Sequence, residues 1–294
     1  MVAIILVNYN GYEDTKECIE SIIKSQETDY KIIVVDNCST DDSKCRLMEL
    51  QNNYDFQLLI ANSNNGFSVG NNIGINYALK ENFDYILLLN NDTIVSQNFL
   101  TKLLEGFNFS ENCGATIGKI YFHSEPDKIW YAGGSISKKT ARTEHFKYGM
   151  TDDGNGNIEK VSFATGCFIC LKKSVIESIG LLDEHFFLYE EDAEYSVRIQ
   201  SNGYDIVYVP DSVIYHKVSA STGQGSPMSQ YYSVRNKYYL IKISYKGFSK
   251  ITAYMYCTTQ FVFRCLKKQL KFKYYWAGLR AFMQKETGKT TKEL

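Results

Sequence analysis

The chain has 294 residues, 44% of them hydrophobic and only 3 of them proline, which excludes a largely disordered protein and allows one large domain with an appendage. The formal net charge of −1 hides an uneven split. Residues 235–294 hold 14 Lys and Arg against 2 Glu, a net of +12, which leaves 18 against 31, a net of −13, for residues 1–234. A mostly acidic chain with no recognition motif argues against a nucleic-acid binder, and only the tail is suited to an anionic partner.

The first residues, Met1 to Asn8, carry no basic leader or cleavage site and read as a strand over 2–7 rather than a signal peptide. No apolar run approaches the ~18 residues of a spanning helix. With eight cysteines and no export signal, free thiols in a reducing cytoplasm follow. Cys167 and Cys170 match C-x-x-C but sit in a strand-like apolar run, where positions three apart face opposite ways. No second pair completes a zinc site, so buried thiols are expected.

In chain order, helical spacing over 12–24 follows the first strand. A second strand at 31–35 runs into Asp36-Asn37-Cys38-Ser39-Thr40. A helix over 41–51, a third strand at 56–61, a polar turn at Asn62 to Gly66 and a helix over 70–80 come next. Tyr85-Ile86-Leu87-Leu88-Leu89 is a fourth strand, unalternating as suits one covered on both faces, and it ends in Asn90-Asn91-Asp92. Strand–helix alternation at this spacing means βαβ units and a parallel sheet, whose carboxyl edge would gather these polar ends into one cleft.

The stretch 114–173 reads as shorter strands and loops, and Asp152 to Asn157 as a hairpin tip. Glu190-Glu191-Asp192 opens a helix that runs to Ser201 and stops at Asn202-Gly203. Short strands at 206–209 and 212–216 follow, and from about Ser229 the chain is helical, with aromatics interleaved among Lys and Arg.

Each polar cluster has a chemical and a plain reading. Asp92, with two amide neighbours, can hold a divalent cation that draws its other oxygens from a phosphate; equally, Asn and Asp are ordinary turn residues. Asp36 can accept hydrogen bonds from a ribose or base, or cap the helix near Asp41. Gly66, Gly70 and Gly74 form neither a dinucleotide fingerprint nor a P-loop, yet could present backbone N–H groups to phosphate. Three crowded carboxylates raise one another's pKa, as suits a general base, whereas a helix N-terminus lowers them again. Glu194 and Arg198 form an ordinary i,i+4 pair. His216 is a structural histidine or a further metal ligand beside Asp92.

Taken as a set, these segments resemble the inverting nucleotide-sugar glycosyltransferases of family 2, with the GT-A fold, and most of all the bacterial rhamnosyltransferase-like subgroup. The matching segments are Val7 to Asn10, Val35 to Asp41, Asn64 to Gly74, Leu89 to Asp92, Tyr131 to Gly134, Ala164 to Cys167, Phe186 to Asp192, Tyr215-His216 and Arg235-Asn236-Lys237. They cover about residues 1–240.

The resemblance implies an α/β fold: a Rossmann-like, mostly parallel sheet flanked by helices, with a C-terminal helical extension. It implies a catalytic domain at 1–228, with a nucleotide-sugar half at about 1–112 and an acceptor half at about 113–228, and a basic aromatic region at 229–294. Asn8, Tyr9 and Asp36 would contact base and ribose, and Asn65, Asn71 and Asn72 would lie near ribose and diphosphate. Asn90-Asn91-Asp92 stands at the D-x-D position, with Asp92 and His216 as ligands of Mn²⁺ or Mg²⁺. Asn90 replaces the first acid of that motif, which leaves one carboxylate.

Asp192 would be the general base, with Glu191 beside it. The implied partners are a nucleotide-sugar donor, with dTDP-rhamnose or a UDP-sugar first, and a lipid-linked or polysaccharide acceptor. The region 235–294 would meet an anionic membrane, pack on the catalytic domain or form a homodimer contact, in a protein of the cytoplasm or of the inner face of the plasma membrane. The segment 217–227 is the candidate for closing over the donor. A non-catalytic nucleotide-sugar or glycan-binding protein of the same fold is the alternative. A nucleotidyltransferase lacks its N-terminal Gly-rich loop here, and a nicotinamide dehydrogenase lacks G-x-G-x-x-G after the first strand.

Overall fold

The computed structural model describes residues 1–218 and 225–292. Four strands, β1 (Val2–Asn8), β2 (Tyr30–Asp36), β3 (Gln57–Ile60) and β4 (Tyr85–Leu89), alternate with helices α1 (Tyr12–Lys24), α2 (Ser43–Leu50) and α3 (Phe67–Lys80). β1 pairs in parallel with β2 and β4, and β2 with β3. Ile4, Ile5, Leu6, Ile33, Val34 and Val35 are fully buried, as a strand covered on both faces requires. Each such side chain stabilises the fold by roughly 1.5–3 kcal/mol.

α3 begins three residues before the predicted start. Gly70 and Gly74 face β1, where an added Cβ would lie 2.8 Å from Val7 or 2.6 Å from Ile5. That close packing of helix on strand is why glycine recurs every four residues.

The chain continues through β5 (Thr93–Val95), α4 (Phe99–Glu105), β6 (Cys113–Phe122), β7 (Ile129–Tyr131), β8 (Gly134–Ile136), β9 (Thr143–His145), β10 (Glu159–Val161), β11 (Phe168–Lys172) and α5 (Lys173–Ile179). α6 (Glu191–Ser201), β12 (Asp205–His216), α7 (Pro227–Ser244), α8 (Gly247–Leu266) and α9 (Phe272–Met283) complete it. The main sheet has the order β10-β12-β6-β11-β4-β1-β2-β3. β11 is antiparallel to both β4 and β6, β12 is parallel to β6, and β10 is antiparallel to β12. Six of the eight strands on that path therefore point the same way, and helices flank the sheet.

Two local expectations are corrected. Residues 206–209 and 212–216 form one bent strand, β12, whose register on β6 shifts between Val209 and Val213, where Pro210 withholds a backbone donor. Residues 152–157 are not a hairpin tip, because β9 pairs with β8 and β10 with β12. Asp152 is instead drawn inward: its side chain is 9% exposed and pairs with Lys119 at 2.7 Å, with the Tyr121 hydroxyl also donating to it. Among the described residues, no helix is long and apolar enough to cross a membrane. All eight cysteines are free, and Cys167 and Cys170 are buried.

Candidate active site

Parallel pairing brings the carboxyl ends of β1, β2 and β4 to one edge. There the Asn8 amide donates to Asp36 Oδ1 at 2.9 Å and to Ser39 Oγ at 3.1 Å, and Thr15 Oγ1 donates to Asn8 Oδ1 at 2.9 Å. Asn91 Nδ2 donates to Thr15 Oγ1 at 2.8 Å, which ties the end of β4 to the end of β1 through α1. Asp36 is fully buried. Its carboxylate also accepts from Ser39 Oγ and the Ser39 N–H, so it orders the loop after β2 and does not cap α2. Tyr9, 39% exposed, faces outward at this edge. The pattern did not single out Thr15: its buried hydroxyl sits on an otherwise amphipathic helix, and hydrophobic spacing carries no signal for it.

Asn65 is exposed and bonds Ser63. Asn71 and Asn72 are each 2% exposed and turned inward. Asn71 donates to the Phe67 carbonyl. Asn72 donates to the Leu182 carbonyl and Glu184 at 2.9 Å each and accepts from Leu182 N–H at 3.1 Å. These two amides are struts of the framework: Asn72 ties α3 to the loop before α6, and the sequence alone does not distinguish a strut from a ligand contact.

β5 pairs with the end of β12, matching Thr93 with His216. This register sets His216 beside Asp92, with Nε2 3.1 Å from Oδ1 across 124 residues of chain. Both residues are more than nine-tenths buried. Burial pulls the His216 pKa down, but the adjacent Cys167 and Asp92 outweigh it and push it up to about 10. Trp130 stands edge-on to the His216 ring at 4.7 Å. Lys217 follows and reaches Asp14 at 2.8 Å and Glu17 at 2.5 Å on α1. Asn90 N–H donates to the Cys167 carbonyl at 2.9 Å.

Among the described residues, no cluster of three or more His, Cys, Asp or Glu is arranged for a metal. Asp92 and His216 offer one oxygen and one nitrogen, a set that fits a cation completed by substrate oxygens and water.

β11 enters the same edge antiparallel, with Phe168 opposite Leu89, so Gly166 and Cys167 lie beside Asn90. α6 docks on the strand-like segment before them. Ala164 N–H donates to Ser196 Oγ, Ser196 Oγ to the Asp192 carbonyl, and Gln200 to the Ser162 carbonyl. Asp192 Oδ2 accepts Gly166 N–H at 3.3 Å, and Oδ1 accepts Ala193 N–H at 2.8 Å.

Burial raises the Asp192 pKa; the Gly166 and Ala193 N–H groups and the Lys237 charge oppose it without cancelling it. Burial, then the Asp192 charge, hold Glu191 well above the usual carboxylate range. Glu191 is 7% exposed, while Asp192 stays partly accessible. Tyr189 and Glu190, just before α6, both take positive φ, 69° and 75°. Lys237 lies 2.5 Å from Glu190, and Asn236 Nδ2 donates to the Leu188 and Tyr189 carbonyls at 2.8 and 3.1 Å. The resemblance includes Arg235-Asn236-Lys237 without a role; in the structure Asn236 and Lys237 buttress the entry to α6. Residues 219–224 of the expected closing segment lie outside the described residues.

The sequence matches the family model described as Glycosyl transferase family 2 over residues 3–180. It is 24% identical over 246 residues to the dTDP-rhamnosyl transferase RfbF of Shigella flexneri, spanning 81% of this chain and 79% of that protein. The fold is similar to the crystal structure of S. aureus TarS 1-349, with a TM-score of 0.62 and 15% identity over 97% of this chain and 80% of that one. It is similar also to GalNAc-T7 crystallised with UDP, GalNAc and Mn²⁺, with a TM-score of 0.62 and 15% identity over 98% of this chain and 58% of that one.

Proposed function

The chain belongs to glycosyl transferase family 2, and from that premise we propose that it moves a sugar, from dTDP-rhamnose or a UDP-sugar, to a hydroxyl of a cell-surface glycan acceptor with inversion at the anomeric carbon. The observation that carries this reading is convergence. A partly accessible carboxylate of raised pKa, Asp192, and the Asp92–His216 pair reach one sheet edge, where Gly166 bonds Asp192 and Cys167 bonds Asn90. The relative from Shigella acts on a dTDP-rhamnosyl donor by its name, which puts that donor first.

Asp192 accepts the acceptor hydroxyl's proton as the oxygen attacks the anomeric carbon from the face opposite the diphosphate. The Gly166 and Ala193 N–H groups fix its two oxygens, so the carboxylate is oriented before the acceptor arrives. The C–O bond to the diphosphate breaks as the new glycosidic bond forms, and no covalent enzyme intermediate is required. Asp92 and His216 would hold Mn²⁺ or Mg²⁺, whose charge would neutralise that gathering on the leaving diphosphate; crystallisation of the fold relative GalNAc-T7 with UDP and Mn²⁺ favours a divalent metal beside the nucleotide. Glu191 is the less accessible of the two acids, and burial with the Asp192 charge holds it well above the usual carboxylate range, so it stays protonated beside the base. We assign Tyr9, exposed at this edge, to stacking on the base, and the loop ordered by Asp36 to contact with the ribose.

The test is thermal stability against dTDP, UDP, GDP and NAD, with and without Mn²⁺, followed by NMR of the glycoside formed from the stabilising donor. A shift with dTDP or UDP that Mn²⁺ enlarges, and a product anomer opposite to that of the donor, are expected. A product of retained configuration, or stabilisation by NAD alone, would overturn the reading.

A further inference from the structure

α8 carries apolar residues on two faces, and only one of them is covered. Ala253, Cys257 and Phe261 are buried and face the rest of the chain. Phe248, Ile251, Met255, Val262 and Leu266 recur at helical spacing and stay exposed, with Phe248 at 79%, Met255 at 67% and Leu266 at 77%. α9 repeats the pattern with Phe272, Trp276 and Met283, which are 56–69% exposed. A helix apolar all round is normally enclosed, and an apolar stripe left bare marks a contact surface.

The chemistry around the stripes selects the occupant. Residues 212–285 contain no Asp or Glu and 13 Lys and Arg. Lys267, Lys268, Lys271 and Lys273 crowd the turn and first residues that join the two stripes, between Leu266 and Trp276. A second copy would bring the same cations to the contact, so charge opposes self-association. An anionic bilayer supplies both an apolar layer and negative headgroups, and Trp and Phe beside Lys suit its interface.

We infer that the outer faces of α8 and α9 form a docking surface for an anionic lipid bilayer, on which the protein lies without crossing it. This goes beyond the catalytic reading and does not depend on it.

Sedimentation of the full-length protein with phosphatidylcholine vesicles, with and without phosphatidylglycerol, tests it. The protein is expected to pellet with the phosphatidylglycerol vesicles and at least about ten-fold more weakly with phosphatidylcholine alone, with loss at high salt. The double variant Ile251→Asp and Met255→Asp is expected to lower partitioning at least about ten-fold while thermal stability and nucleotide-induced shifts stay as in the wild type. The variant Lys267→Gln, Lys268→Gln and Lys271→Gln is expected to lose the lipid-charge dependence. Absence of pelleting with phosphatidylglycerol vesicles at low salt would overturn the proposal. So would partitioning unchanged in the aspartate variant, or a wild-type dimer in solution that the aspartate variant breaks, which would assign the face to a second copy.

Discussion

Asp192 is held with a raised proton affinity by burial, against two N–H groups and a lysine that favour its ionised form. Its folded pKa lies above the usual ~3.9, so as the proposed base, which must be ionised to act, it stops working as pH falls through a value above that range. The acid limb of kcat/KM should therefore lie higher than for a free aspartate, and Lys237→Met, which removes a charge that lowers the Asp192 pKa, should move it higher still. A pH–rate profile of both proteins checks this; an unmoved limb in Lys237→Met would place the lysine outside the electrostatics of the base.

The same shift has a consequence for stability. The folded state binds the Asp192 proton more tightly than the unfolded state does. Stability is therefore lost as pH rises from the unfolded to the folded pKa, and the loss persists above both. Asp192→Asn removes that cost, so the variant should melt no lower than the wild type at neutral pH. At the far side of the cleft, Asp92→Ala should abolish the Mn²⁺-enlarged nucleotide shift while leaving the metal-free shift in place, as thermal melts with dTDP or UDP will read.

At the scale of elements, what was legible in the sequence is the half built from regular alternation. β1 to β4 and α1 to α3 follow from apolar runs and helical spacing, because buried parallel strands admit few polar residues. The candidate site was legible where polar residues ended those strands, at Asn8, Asp36 and Asp92. The part each residue plays was less so. Asn71 and Asn72 share the polarity of ligand contacts but turn it to the Phe67 and Leu182 backbone and, for Asn72, to Glu184. α4 and α5 are too short for their spacing to stand out, and Pro210 within a continuous strand imitated a break between two.

The joint between the halves was not legible at all, since it is made by backbone. Gly66 takes φ 98°, and its Cβ would lie 2.0 Å from the Phe187 carbonyl oxygen, which also accepts Phe67 N–H at 3.0 Å. Gly66→Ala should destabilise the protein by at least about 1–3 kcal/mol from backbone strain alone, measured by denaturant unfolding. It should also depress transfer by parting the donor-side loop from the loop that leads to Asp192; a variant of wild-type stability and activity would show the joint to be unimportant.

At the scale of the whole molecule, the C-terminal helices are not a separable tail. Tyr231 and Tyr232 on α7 are fully buried, with Phe187 in the same apolar cluster, and Asn236 satisfies two carbonyls of the segment that enters α6. A chain ending at residue 228 should therefore lack a cooperative melt and nucleotide-induced stabilisation, as calorimetry will read; a truncated chain with wild-type stability would contradict this. The basic composition of 235–294 was plain in the sequence, but which faces it covers and which it leaves bare depends on packing that composition does not encode.

Asp192 is the proposed base of a cleft proposed to bind the donor. Its most direct test is turnover of Asp192→Asn with the stabilising donor and its acceptor, beside donor binding measured by the melting shift. A loss of kcat of about 10²–10⁴-fold with the donor shift unchanged is predicted. Turnover within a few-fold of the wild type, in a variant that still binds donor, would contradict the claim.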